Sequence, residues 1–457
     1  MFLIACAGCA IRGYEARPLE PQRSADSIAQ RSVDEPGLRD YMIAHGHPSA
    51  DWPVKVWGLP ELTLLAFYFH ADLTLARSQA ALARAAPELA GSRAPLELTT
   101  RAEHHTDAVD GRPWSLGFEL EIPFPGTSRR VAGMERQRQL ADKAALHIGA
   151  VVWQIRAQVR DALFDVYEAA ALSALAEREK IEAVQLTGLL ERRLREGMAS
   201  AGEVTASRLQ AAEFGAEVDA QRAAGDKSLA ALSRALGLPL DVTRALQLSF
   251  AALDSPAAVP DSAVLRSQAL QNRIDIREEL LAYAAAESAV RMEVASQYPQ
   301  LRLVPGYFWD RGDSVWSLAV GWVLPGTTDV IPRIREAEAR RALAAVEFER
   351  LQARVIADAE SAAAVHRQTR ETLEAVNAQD LLMQQGLART QKLFDAGYAD
   401  RTELIRGRLV AMNAQKKTWA VRRRAFEGMK QAEDAAQLPL MSGPLPNVGE
   451  RQGSPAQ

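Results

Sequence analysis

The chain is written twice. Trp114-Ser115-Leu116 recurs as Trp316-Ser317-Leu318, and in each copy a proline follows the tryptophan by nine residues, Pro123 and Pro325. Gly197 aligns with Gly397, Glu203 with Glu403, and Arg208-Leu209 with Arg408-Leu409; upstream, Ala66 and Asp72 match Ala269 and Asp275. The offset stays between 200 and 203 across all of these pairs. A unit of about 200 residues is far longer than a solenoid repeat, so two related halves are expected instead of a stack of small modules.

Both halves, 56–250 and 260–437, read in the same order. Each opens with a helical pattern, residues 59 to 86 and about 262 to 295, in which apolar residues return every three or four positions. Two strand-like segments follow, about 96–105 and 114–123 in the first half and about 300–309 and 315–324 in the second. In the first half Trp114, Leu116, Phe118, Leu120 and Ile122 alternate with Ser115, Gly117, Glu119 and Glu121. In the second, Trp316, Leu318, Val320, Trp322 and Leu324 alternate with Ser317, Ala319, Gly321 and Val323. Period two puts one set on each face of a sheet. Then come proline-free stretches from Pro125 to Pro239 and from Pro332 to Pro439. They predict long helices over about 128–195, 203–236, 333–394 and 401–437, folded into hairpins at Gly197 and Gly397. Val152, Ile155, Val159, Leu163, Val166 and Ala170 form a coiled-coil seam that Ile181, Val184 and Leu190 continue less strictly.

The strand-like segments are 9–11 residues long, enough to cross a bilayer when tilted, with an apolar face and tryptophans near their ends. Four strands cannot close a barrel that passes a solute. Symmetric association cures this: three subunits supply twelve strands and bundle the helices into a hollow cylinder. The expected fold class is therefore mainly α with a small β part, a homotrimer with a 12-stranded β-barrel continued by an α-helical coiled-coil barrel.

No run of 18 apolar residues exists, so no membrane-spanning helix is expected. A formal net charge of −4 gives no support to a nucleic-acid partner. Both cysteines lie at the N-terminus, in Ala5-Cys6-Ala7-Gly8-Cys9. Residues 1–9 read as the remnant of a lipoprotein signal with Cys9 as the acylated residue and Cys6 as the alternative; the bland reading is a signal remnant without lipid. Residues 10–55 carry five scattered prolines and read as an extended segment along the outside of the body, and residues 438–457 as a disordered tail.

No phosphate loop, paired-histidine motif or nucleophile motif is present, so no enzyme and no cofactor is expected. His104-His105 sits at a strand end, but adjacent strand residues face opposite ways, which argues against one shared metal ion. His70, His147 and His366 are isolated on helices, and the methionines form no cluster.

From about residue 9 to 437 the chain resembles the TolC-like outer membrane efflux factors, through its duplicated helix–strand–strand–hairpin units, its cysteine-bearing start and the glycines at the hairpin tips. Val304-Pro305-Gly306-Tyr307-Phe308-Trp309-Asp310 with Trp316-Ser317-Leu318 is similar to the heavy-metal cation efflux branch. The resemblance implies a passive exit duct in the outer membrane. It would be fed through a periplasmic adaptor (membrane fusion protein) by an inner-membrane pump of the resistance–nodulation–division (RND) type. It also implies adaptor contacts at the tips, Arg195, Glu196, Gly197, Met198, Gly397 and Tyr398, and a carboxylate gate drawn from Asp395 and Asp400. A type I protein-secretion or drug-efflux outlet would share this fold. A periplasmic coiled-coil scaffold is the competitor from another class.

Overall fold

The computed structural model describes residues 13–92, 94–106, 113–124, 127–254, 258–326 and 329–441. The cysteines at 6 and 9 and the tail beyond Met441 lie outside the described residues.

Twelve α-helices and four strands organise the described chain, with one 3-10 turn at Ser49–Asp51. Helices α1 (Pro21–Ala29) and α2 (Pro36–Ala44) precede α3 (Leu59–Phe69) and α4 (Ala71–Gly91). Strands β1 (Glu97–His104) and β2 (Trp114–Phe124) lead into α5 (Thr127–Arg195), which turns into α6 (Ala201–Leu236). Short helices α7 (Leu240–Arg244) and α8 (Ala251–Asp254) connect to the second half: α9 (Ser262–Asn272), α10 (Ile274–Ala295), β3 (Gln300–Asp310), β4 (Asp313–Val323), α11 (Val330–Asp395) and α12 (Arg401–Ala436). At 69 residues, α5 is about 100 Å long.

The molecule is a strip four elements wide at every level. Strands run in the order β1-β2-β3-β4, all antiparallel. Beneath them the helices pack as α4–α5–α10–α11, and towards the hairpin tips as α6–α5–α12–α11. At each level one open edge belongs to the first half and the other to β4 or α11.

The expected opening helix of each half is in fact two. His70 and Arg273 both adopt extended backbone, φ/ψ −70°/125° and −62°/127°, and separate α3 from α4 and α9 from α10. In each break the peptide N–H still reaches back four residues, His70 to Ala66 at 2.8 Å and Arg273 to Ala269 at 3.2 Å. An acid then closes the next turn. Asp72 N–H donates to His70 Nδ1, and Arg273 grips Asp275 at 2.6 Å.

The main core gathers where α5 passes α3. Val152, Ile155, Val159 and Leu163 pack with Leu59, Leu62 and Leu65, and with Leu38 and Met42 of α2. Residues 10–55 are therefore not simply extended. Pro36 starts α2 at a position where its missing N–H costs nothing, and the spacing of Leu38, Tyr41 and Met42 puts one face into the core. The described part of the expected tail, residues 438–441, is packed: Leu440 and Met441 are buried, and Leu440 N–H donates to Glu433 at 2.8 Å.

One stretch of the α5 seam differs from the expectation. Ile181 and Val184 are 54% and 56% exposed, and Ala170 is exposed as well. The buried line below residue 170 is Ala176, Glu179, Ala183, Leu186 and Leu190, alternating steps of three and four. The cause is a change of neighbours. Above this point α5 packs between α4 and α10, and below it between α6 and α12, so the inward face turns.

Candidate functional site

The sheet has two unlike faces. Its registers place Leu98, Leu116, Phe118, Tyr307, Trp309, Trp316, Leu318 and Trp322 on one side. These side chains stay open, with Trp316 79% and Leu318 66% exposed, and no helix packs across them among the described residues. Glu97, Glu103, Glu119, Glu121, Asp310 and Asp313 lie on the opposite side, accompanied there by only two arginines, Arg101 and Arg302. Arg302 pairs with Glu121 at 2.6 Å, which leaves a clear acidic excess on this face. The turn from β3 to β4 is tighter than the expected loop of Asp310 to Ser314. Pairing runs to Asp310↔Asp313, and the two turn residues Arg311 and Gly312 take φ of 46° and 111°.

His104 and His105 separate as their strand position demands. His104 sits edge-on to Trp114 on the apolar face, at 4.8 Å. His105 Nε2 lies 2.9 Å from Ser115 Oγ on the acidic face, and Ser115 donates its hydroxyl to Asp310 at 2.5 Å. These are the residue types of a hydrolase triad wired in another order. The serine proton is committed to the carboxylate and is not available to the imidazole, so Ser115 is not activated as a nucleophile.

Far from the sheet, two glycines turn the hairpins. Gly197 and Gly397 take φ of +74° and +81°, a region that a side chain disfavours. Each helix end closes with two bonds, Met198 N–H to Arg193 and Gly197 N–H to Leu194, and Tyr398 N–H to Leu393 and Gly397 N–H to Phe394. The returning helices are capped by Ser200, which exchanges bonds with Glu203, and by Asp400, which accepts from Glu403 N–H at 2.8 Å. Met198 and Tyr398 project fully into solvent at these turns, beside Arg195 and Glu196. The two carboxylates named for a gate differ in surroundings. Among the described residues Asp395 holds only Gln391 of its own helix, at 2.9 Å, whereas Asp400 is a helix cap and also binds Arg193 of α5 at 3.0 Å. The Glu403 peptide N–H and then the Arg193 guanidinium hold Asp400 below the usual carboxylate range.

Arg193–Asp400 is the last rung of a ladder between α5 and α12 that the sequence reading missed. Higher up, Asp161 meets Lys430 at 2.5 Å, and Arg423 meets Asp165 at 2.7 Å and also Glu168. Glu179 meets Lys416, and Glu182 meets Arg408 at 2.9 Å. Acids stand on α5 and bases on α12 through the middle, and the polarity reverses at both ends. At the top, Glu433 of α12 is fully buried between Arg156 (2.5 Å) and Arg160 (2.7 Å) of α5. Burial alone would raise the Glu433 pKa, but the two guanidiniums overrule it and hold the carboxyl low. Burial wins at Glu179, whose pKa is raised despite Lys416. The sequence did carry a signal, since Lys416, Arg423 and Lys430 recur every seven residues on α12. A hydrophobic clasp, Leu186 and Leu190 with Val204, Ile405 and Leu409, sits just above the tips.

This strip of four strands and four long helices, turned at glycine tips, is a fold shared with solved outer-membrane channels. The chain superposes on CusC, a protein described for folding and transmembrane channel formation, with a TM-score of 0.67 and 17% identity over 94% of this chain and 99% of that one. The outer membrane protein VceC of Vibrio cholerae gives 0.66 and 16% over 83% and 95% of the respective chains. The open-state outer membrane channel MtrE of Neisseria gonorrhoeae gives 0.64 and 17% over 84% and 88%. No protein-family model and no curated protein sequence matches the chain.

Proposed function

We propose that three copies of this chain form an outer-membrane channel that serves as the passive exit duct of a tripartite efflux system. The observation that carries this reading is the uncovered sheet. A four-stranded sheet with an exposed aromatic face and two unpaired edges is neither a soluble domain nor a closed barrel. Head-to-tail pairing of β4 with β1 of the next copy closes twelve strands, with the apolar face in lipid and the acidic face lining the bore. The helical edges are suited to the same operation. Leu75, Leu82 and Leu89 form an exposed stripe on α4, one every seven residues, and α11 exposes Ile331, Leu343 and Val346.

The acidic bore favours cationic solutes, because carboxylates repeated around a narrow axis attract cations and repel anions. This agrees with the resemblance of the Val304–Asp310 segment to heavy-metal efflux channels. The exposed tips, Arg195 to Met198 with Gly397 and Tyr398, are the surface offered to a periplasmic adaptor and, through it, to an RND-type inner-membrane pump. Asp395 and Asp400 of three copies narrow the entrance. Acylated Cys9, with Cys6 as the alternative, anchors the N-terminal arm to the outer membrane.

Reconstitution in planar bilayers tests the reading. Stepwise conductance with a cation-shifted reversal potential is expected. Assembled trimers that give no conductance would favour the periplasmic scaffold instead.

A further inference from the structure

We propose that the start of α5 carries a binding site for a phosphate-type oxyanion, built by Arg129, Arg130 and Arg136. A cavity of about 490 Å³ opens where the strands pass into the helices, and these three arginines line it together with Gln137, Met292 and Gln300. Among the described residues none of the three has an ion-pair partner, and Arg130 Nε is buried with no acceptor. No acidic residue lies in the first turn of α5. The helix dipole adds positive potential at the same end, and the nearest acid on α5, Glu135, pairs with Arg138 at 3.8 Å.

The second half of the chain shows what is missing. At the start of α11 three of the arginines are paired within the chain, Arg333 with Asp329 at 3.0 Å, Arg340 with Glu336 at 2.5 Å and Arg341 with Glu287 at 2.9 Å, and Arg335 has no ion pair among the described residues. In the first half Arg138 has such a partner in Glu135, but the three arginines around the cavity have none among the described residues. Guanidinium forks bind the paired oxygens of a phosphate or phosphodiester in two-point contacts, and the Gln137 and Gln300 amides can complete the shell. The cavity lies beside Gln300, the first residue of β3, and next to the start of α5, which follows the end of β2 at Phe124. In a membrane-seated channel that level is where the hydrocarbon ends and headgroups begin. The ligand is thus an oxyanion that either a phospholipid headgroup or free phosphate presents.

The test uses the assembled full-length protein. Inorganic phosphate is titrated into detergent-solubilised protein by calorimetry. Bound lipid is counted by native mass spectrometry after passage through vesicles of phosphatidylglycerol or of phosphatidylcholine. The variants are Arg130→Gln with Arg136→Gln, the charge-keeping pair Arg130→Lys with Arg136→Lys, and the control Arg333→Gln. Wild-type protein is expected to bind phosphate or to retain phosphatidylglycerol in preference to phosphatidylcholine. The glutamine pair should weaken this about tenfold or more, the lysine pair less, and the control not at all. Binding by neither probe, or binding equal in wild type and the glutamine pair, overturns the site. The lipid arm rests on the membrane reading above and the phosphate arm does not. Phosphate binding by a protein that never enters bilayers would keep the site and remove the channel.

Discussion

Arg193 of α5 binds Asp400 at the N-terminus of α12, 3.0 Å apart, and so ties the tip of the first hairpin to the tip of the second. Asp400 serves two structures with one carboxylate, capping its own helix through Oδ1 and holding the neighbouring hairpin through Oδ2.

Those two duties separate by mutation. Asp400→Asn keeps a capping oxygen and loses the charge, whereas Asp400→Ala loses both and costs about 1 kcal/mol more in helix stability. Because the Arg193 pair is exposed, its removal should change stability by no more than about 1 kcal/mol. It should nevertheless raise the open fraction in single-channel recordings, equally for Arg193→Ala and Asp400→Asn. Unchanged gating in both variants would show that the tie does not hold the entrance shut.

At the opposite end of the ladder the energetics differ. Glu433 is fully buried between two arginines, and Glu433→Gln removes the buried carboxylate that binds both. Arg160 keeps Asp161 and Asp434, each at 3.0 Å, so the cost should fall near the lower end of the range of about 3–5 kcal/mol for a broken buried pair. The folded Glu433 carboxyl titrates below its unfolded value. Its contribution is therefore present above the ordinary carboxylate pKa and disappears as pH falls through the depressed one. Thermal unfolding of wild type and variant should differ most near neutrality and converge in acid.

Assembly can be separated from folding at the leucine stripe. Leu82 is 77% exposed on α4 and contributes little to the protomer itself. Leu82→Asp should leave helix content and monomer stability within about 0.5 kcal/mol of wild type. Chemical cross-linking should then trap monomers where the wild type gives trimers.

Within the sheet, Gly117 leaves room for the ring of Phe308, its cross-strand partner, to lie over the backbone. A side chain at 117 would occupy the position of that ring. Gly117→Val is expected to reduce the yield of heat-resistant barrel on gels, and Gly117→Val with Phe308→Ala to restore part of it.

Much of this was legible in the residues. The constant offset between halves, the two-faced strands and the glycines at 197 and 397 carry the architecture, because each rests on local chemistry. The breaks at His70 and Arg273 were not visible, since the apolar spacing continues through both and only the backbone departs from helix. Ile181 and Val184 misled because periodicity says which residues share a face but not which neighbour that face meets. The α5–α12 ladder stayed hidden for a related reason. Opposite charges 250 or so residues apart become partners only once the hairpins are laid side by side.

The reversed ends of that ladder act as a vernier between the two hairpins. Slide α12 two turns along α5, and Lys416 comes level with Glu182 and Lys430 with Glu168, but Arg423 leaves Asp165 and Glu168 for the level of Leu175. Glu433 also leaves both its arginines and arrives beside Asp165. Axial creep between the hairpins is thereby penalised near the top, and again at the tip, where Asp400 would leave Arg193 for the level of Met198.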